Sequence, residues 1–239
     1  MNICSKFSAL GAVLVLSTAF ASASPIMTFT SSTSSTQYAG YSTTPGGAPV
    51  IQAAGTNNST GTNATFAIAP GSIWAAPLVG SDGSVSSWVS YDQFSGPTGG
   101  ENGGTKPYDA DGYYTYSTSL NLSGPWTGSV TVAADDTVEV FLATSGSPAF
   151  NLVPGSIFGT QGSDAECADG APNCRAGQSS TYLFSGTGNA TLDFVVFQSG
   201  SIDQGLDFVG TVTPEPNSLL LLGTGLLGSA GALFRKMRG

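Results

Sequence analysis

The sequence predicts an all-β body, a β-sandwich of jelly-roll type, with an apolar segment at each end of the chain. Three observations lead there. Short apolar alternations recur from Thr65 to Thr213, separated by Gly, Pro and Asp turn signals. No window of that stretch sustains a helical period. Ser, Thr, Gly and Asn supply much of the polarity, and Ser, Thr and Gly are poor in helix interiors.

The first element is residues 1–23, MNICSKFSALGAVLVLSTAFASA. Lys6 precedes an apolar run from Phe7 to Phe20, and Ala21 and Ala23 supply the small residues of an A-x-A cleavage site. The pattern is that of a secretory signal peptide, removed by signal peptidase before Ser24. Cys4 lies ahead of the apolar run, so it cannot anchor a lipid at a mature N-terminus. Residues 24–64 follow as a Ser/Thr/Gly-rich low-complexity leader, with one or two edge strands such as Ala48 to Ala53 as the alternative.

The β-sandwich domain is assigned to residues 65–213. TFAIA, VSSWVSYD, GYYTYSTSLNL, TGSVTVAA, DTVEVFLA, STYLFSG, ATLDFVVFQ and LDFVGTVT each read as a strand. In LDFVGTVT, Leu206, Phe208 and Val212 point one way, and Asp207, Thr211 and Thr213 the other. In GYYTYSTSLNL, Tyr114, Tyr116, Thr118, Leu120 and Leu122 share a face. Trp88, inside an alternating strand, is expected in the core. The spacing is irregular, with a long segment from Ser145 to Ser179, and this argues against a propeller or solenoid repeat. Within that segment Cys167 and Cys174 bracket CADGAPNC, whose Asp-Gly and Pro-Asn pairs turn the ends together. In an oxidising compartment the pair is expected to form a disulfide closing a small loop.

Charge narrows the function. Between Ser24 and Thr213 stand two basic residues, Lys106 and Arg175, against fourteen acids, a net charge of −12. So acidic a surface argues against nucleic acid and against anionic membranes. The chain has no histidine, which excludes Ser-His-Asp and Cys-His catalysis and histidine-bound zinc. No Gly-rich phosphate loop lies between a strand and a helix. The body is therefore expected not to be an enzyme; two-carboxylate glycan hydrolysis is the minor reading its acids leave open.

The run YTYSTSLNLSGPWTGSVTVAADDTVEVFLATSG, from Tyr114 to Gly146, places two strands around Gly124-Pro125, a turn at Ala134-Asp135-Asp136, and a third strand. It resembles the galactose-binding-like jelly rolls, a diffuse likeness from Ile73 to Thr213. The family often has Asn-Gly where this chain has Ala143-Thr144-Ser145-Gly146. What the resemblance implies is a non-catalytic module of a fold often used to bind sugars. Sugars offer C–H faces and hydroxyls, so a site for them needs an exposed aromatic platform beside carboxylates or amides. Trp74, Tyr108, Tyr113 and Trp126 lie in or near turns and are the candidate platforms, with burial in the core as the alternative. Asp109-Ala110-Asp111-Gly112 sets two carboxylates at i and i+2 before a glycine, the start of a calcium-loop pattern. It lacks a distal Glu and so is no EF-hand. A structural Ca2+ on Asp109, Asp111 and a remote acid stands against a solvated turn, the better-favoured reading; no other cofactor is expected.

Residues 214–239 form the last element. From Ser218 to Phe234 no residue is charged, and a helix of that length spans about 25 Å. That is at the lower edge for a transmembrane helix in a hydrocarbon core roughly 30 Å thick. Arg235, Lys236 and Arg238 follow and favour a cytoplasmic end. Pro214 and Pro216 keep the approach extended. Pro214-Glu215-Pro216, the Leu-rich helix and the basic end, in that order, resemble the PEP-CTERM sorting signal of bacterial surface and matrix proteins. The resemblance covers about 25 residues and implies recognition by exosortase, a membrane-embedded cysteine transpeptidase that cuts near the motif. It also implies a temporary span and a Gram-negative host that exports exopolysaccharide. An ordinary single-pass anchor is the alternative. The expected protein is an exported, non-catalytic structural or adhesive component of the cell surface or polysaccharide matrix, with a lectin-like module as the rival.

Overall fold

The computed structural model of the chain describes residues 26–52, 61–71, 74–97, 109–156, 179–199, 203–215 and 228. Contacts divide the chain into a body, Ile26–Thr213, and a second unit of residues 1–25 and 214–239. The signal peptide, Cys167 and Cys174, Tyr108, and nearly all of the expected 218–234 helix lie outside the described residues. Among the described residues no helix is long and apolar enough to cross a membrane.

The described body is all β. Its strands are β1 (Met27–Thr30), β2 (Thr36–Ser42), β3 (Phe66–Ala67), β4 (Val89–Ser90), β5 (Gly112–Leu120), β6 (Pro125–Asp135), β7 (Thr137–Thr144), β8 (Ser147–Leu152), β9 (Ser180–Thr187), β10 (Ala190–Gln198) and β11 (Gly205–Pro214). One sheet runs β3-β4-β11-β6-β9, with β1 also paired to β11. The other runs β2-β5-β10-β7-β8. β10 alternates strictly: Ala190, Leu192, Phe194, Val196 and Gln198 are buried, and the residues between them are partly exposed. It pairs antiparallel with β5 on one side and β7 on the other, Phe194 lying opposite both Tyr116 and Val140. The face that LDFVGTVT predicts is buried, although the other face is buried too as far as Gly210, and Phe208 of β11 stacks on Phe194 of β10, ring centroids 4.3 Å apart. That contact joins the two sheets, and the two-layer packing of an all-β sandwich follows.

A second, smaller cluster holds Ile68, Trp74, Trp88 and Ala133. Ala133 alternates with Val132 and Ala134, which belong to the main core, so this cluster covers the other face of β6. Asp207 is buried as well, accepting hydrogen bonds from the Ser31 hydroxyl at 2.8 Å and the Leu78 amide at 2.9 Å. Burial raises its pKa.

The leader assigned to residues 24–64 is corrected by the structure. Met27–Thr30 and Thr36–Ser42 are strands of the two sheets, and Tyr38 is fully buried. The reason lies in where the apolar groups sit. Met27, Phe29, Tyr38 and Tyr41 are few among Ser, Thr and Gly, but all four pack on the main core. β8 is the other strand beyond the expected set; all six residues are exposed, and Pro148 suits an edge position.

Candidate functional site

The exit of β11 is built from two neighbouring strands. β1 pairs with it antiparallel, Met27 opposite Val212, Thr28 opposite Thr211, Phe29 opposite Gly210 and Thr30 opposite Val209. β6 flanks it too: the Ser129 and Thr211 hydroxyls lie 3.2 Å apart. Glycine is required at 210, because a Cβ there would stand 2.2 Å from Phe29 Cζ and 2.7 Å from the Ser129 carbonyl oxygen. Phe29 in turn packs edge-on against Phe184 and tilted against Phe208. β11 is thus held at close quarters to the end of its pairing, and Pro214 is its last residue. Beside this exit lies a groove of about 510 Å³, lined by Thr127, Ser129, Ser185, Thr211 and Thr213, with Leu183 at 72 % exposure on its rim. No lining residue is charged.

The start of β11 has the opposite chemistry. Gln204, just before it, accepts hydrogen bonds from the Ser90 hydroxyl at 2.8 Å and the Tyr116 hydroxyl at 2.7 Å. The Tyr116 hydroxyl also accepts from the Tyr91 amide, and the Gln204 amide donates to the Ser95 carbonyl. Asp109 Oδ1 accepts from the hydroxyls of Tyr91 and Ser95, while its Oδ2 is buried with no hydrogen-bond partner. Burial pushes the Asp109 carboxyl up to about 8; Asp203 and Asp92 push the same way, and the bonds from Tyr91 and Ser95 oppose them. Tyr38, Tyr91, Tyr114 and Tyr116 pack around this group, with Tyr91 and Tyr114 stacked at 4.8 Å. Burial raises all four phenols above their ordinary range. The network is neutral at its heart below about pH 8, since Asp109 is then protonated.

The residues singled out in the sequence fall unevenly. Trp74 and Trp126 are 4 % and 1 % exposed and present no face to a sugar. Each indole N–H is spent indoors: Trp74 donates to Asp135 Oδ2 at 2.9 Å and Trp126 to the Gly188 carbonyl at 2.7 Å. The platform role for these two is therefore withdrawn, and the core alternative holds. Trp88 is buried as expected. Tyr113 remains partly exposed, its ring 5.0 Å from that of Phe197, its partner across the strand pair. Asp109 and Asp111 go to different surroundings, the first inside the tyrosine cluster, the second on the surface. Among the described residues no group of three His, Cys, Asp or Glu could hold a metal ion. Sequence reasoning missed the β1–β11 pairing and the donors on Asp109; Met27 and Phe29, two apart before a turn, were the only signal for the first.

The exit of β11 is also where the chain matches something known. Residues 212–236 carry the PEP-CTERM protein-sorting motif. The motif implies recognition by exosortase as the processing partner, and export with sorting to the surface or exterior of a bacterial cell. The PEP-CTERM match begins inside β11, at Val212, so signal and sheet share three residues. No curated protein matches the chain. Among solved structures, the chain is similar to the K3 cleaved adhesin domain of Lys-gingipain (Kgp) from Porphyromonas gingivalis w83 at 16 % identity. That likeness covers 63 % of this chain and 90 % of the other with a TM-score of 0.30, too low to bear on what this chain does.

Proposed function

We propose that the mature protein is a non-catalytic β-sandwich that the sorting signal delivers to the cell surface or exopolysaccharide matrix of a Gram-negative bacterium. There it acts as a structural or adhesive component. The observation that carries this reading is the sorting motif running directly out of β11. In this account the 218–234 helix is a transient anchor, Arg235, Lys236 and Arg238 keep its end cytoplasmic, and exosortase removes it at Pro214, Glu215 and Pro216. The absence of histidine from the sequence supports the non-catalytic part. No cofactor is needed for it. The test is cell fractionation beside an active exosortase. Changing Pro214, Glu215 and Pro216 together to alanine should leave the chain uncut in the membrane fraction. Release of the triple variant at the wild-type rate rejects the reading.

One observation favours a second reading, a lectin-like module. Tyr113 and Phe197 form a partly exposed aromatic pair on the outward face of β5 and β10, with Asp193 and Ser117 hydrogen-bonded farther along that face. An apolar ring pair that shares a sheet face with a carboxylate and a hydroxyl suits a neutral sugar long enough to span both. A glycan array separates the two: dose-dependent, competable binding lost in Tyr113→Ala supports the lectin, and no binding leaves the structural role.

A further inference from the structure

We propose that β1 guards the N-terminal flank of the sorting signal: paired with β11 through Val212, it confines cleavage to bonds beyond Thr213, so the mature body keeps an intact β11. This rests on the reading that the tail is cut at all. Cleavage itself is acyl transfer. The enzyme's thiolate adds to the scissile carbonyl carbon, the amide nitrogen leaves with a proton, and water or an acceptor hydroxyl or amine displaces the thiol.

The geometry dictates where that attack can reach. Cleaving enzymes take the chain extended and unpaired, and residues already hydrogen-bonded in a sheet must first open. From Val209 to Val212 β11 is bonded to β1. Phe208 is stacked on Phe194, and Gly210 is closed in by Phe29 on one side and Ser129 on the other. Opening this stretch disturbs the core. Glu215, one residue past the strand, carries no such pairing, being outside any strand. The lock has a weaker half. β1 has four residues and, among the described residues, β11 is its one partner strand, held chiefly by Phe29. Losing β1 strips one flank from Val209–Val212 without touching the β5–β10–β7 ladder. The start of the mature chain thereby sets the accuracy of cutting at its other end.

Two measurements test this, the first on the full chain in detergent. Thermolysin cuts before large apolar residues, and β11 offers it Leu206, Phe208, Val209 and Val212, while the tail offers Leu219 to Leu222. Wild type should be cut in the tail and spared in β11. Phe29→Ala should expose the bonds before Val209 and Val212 roughly ten- to a hundredfold faster, with Leu192 and Phe194 of β10 still protected, and Phe29→Leu should restore protection. Equal cutting of β10 and β11 in Phe29→Ala, or ready cutting of β11 in wild type, overturns the guard. The second measurement is the C-terminus left by a co-expressed exosortase. An end at Pro214 or later is expected, and an end at Thr213 or earlier overturns the proposal. A chain that keeps Phe234 sinks the processing reading, while the thermolysin result still decides on β1.

Discussion

The two ends of β11 lie about 30 Å apart along one strand and could hardly differ more. At its start, Gln204 sits among tyrosines and carboxylates, every one of them turned inward. At its finish, Thr211 and Thr213 line an open, uncharged groove, and the sorting motif leaves the sheet. The contrast shows how a chain so acidic spends its charge. Asp92, Asp109, Asp135, Asp136 and Asp207 are buried, and each accepts at least one hydrogen bond. Such carboxylates persist by hydrogen bonding or by protonation. The exit, which a membrane enzyme must approach, is left neutral.

The largest expected effect strikes both ends at once. Phe208→Ala removes the stack on Phe194 at mid-strand and should cost about 3–5 kcal/mol, read as a lowered unfolding midpoint. A cost below about 1 kcal/mol would mean that β11 is not the strand joining the two sheets.

Next in size is a pH dependence centred on the tyrosine end. Asp109 has a raised pKa, so its contribution is present below the ordinary carboxylate range and is lost as pH climbs through about 8. Asp193 and Asp207 are shifted up by burial too and act in the same direction. Stability should therefore fall from pH 4 to pH 8, with Asp109 supplying on the order of a few kcal/mol. Asp109→Asn should flatten most of that slope. An unchanged slope would show that Asp109 is ionised throughout.

Smaller still is Tyr116→Phe, which takes one donor from Gln204 and leaves the buried Tyr91 amide without its acceptor. About 1–3 kcal/mol should be lost in a denaturant titration. Thr211→Ala, at the other end, breaks a hydroxyl contact beside open solvent and should change stability by less than about 0.5 kcal/mol. If the two substitutions cost the same, the contrast between the ends is wrong.

Much of the fold was legible in the sequence, and the exceptions have physical causes. β10 announces itself because it buries one full face, so the period of two survives in its residue types; β11 keeps that period only past Gly210, being buried on both faces before it. β1 and β2 do not, since composition averages over a segment while burial acts on single side chains such as Phe29 and Tyr38. Trp126 looked available because it follows a Gly-Pro turn, yet β6 starts at Pro125 and carries it straight into the core. Asp109 looked like part of a solvated turn, or half of a cation loop, and is instead buried. Its partners, Tyr91 and Ser95, are 18 and 14 residues away, and no local pattern could name them. The sorting motif was the most legible feature because its order along the chain is itself the signal.

The most direct test of the account is the intact mass of the mature protein from a cell that makes its own exosortase. We expect a chain that begins near Ser24, ends between Pro214 and Asn217, and lacks everything from Leu219 onward. A mass that retains Met1 at one end and Arg235, Lys236 and Arg238 at the other would contradict it.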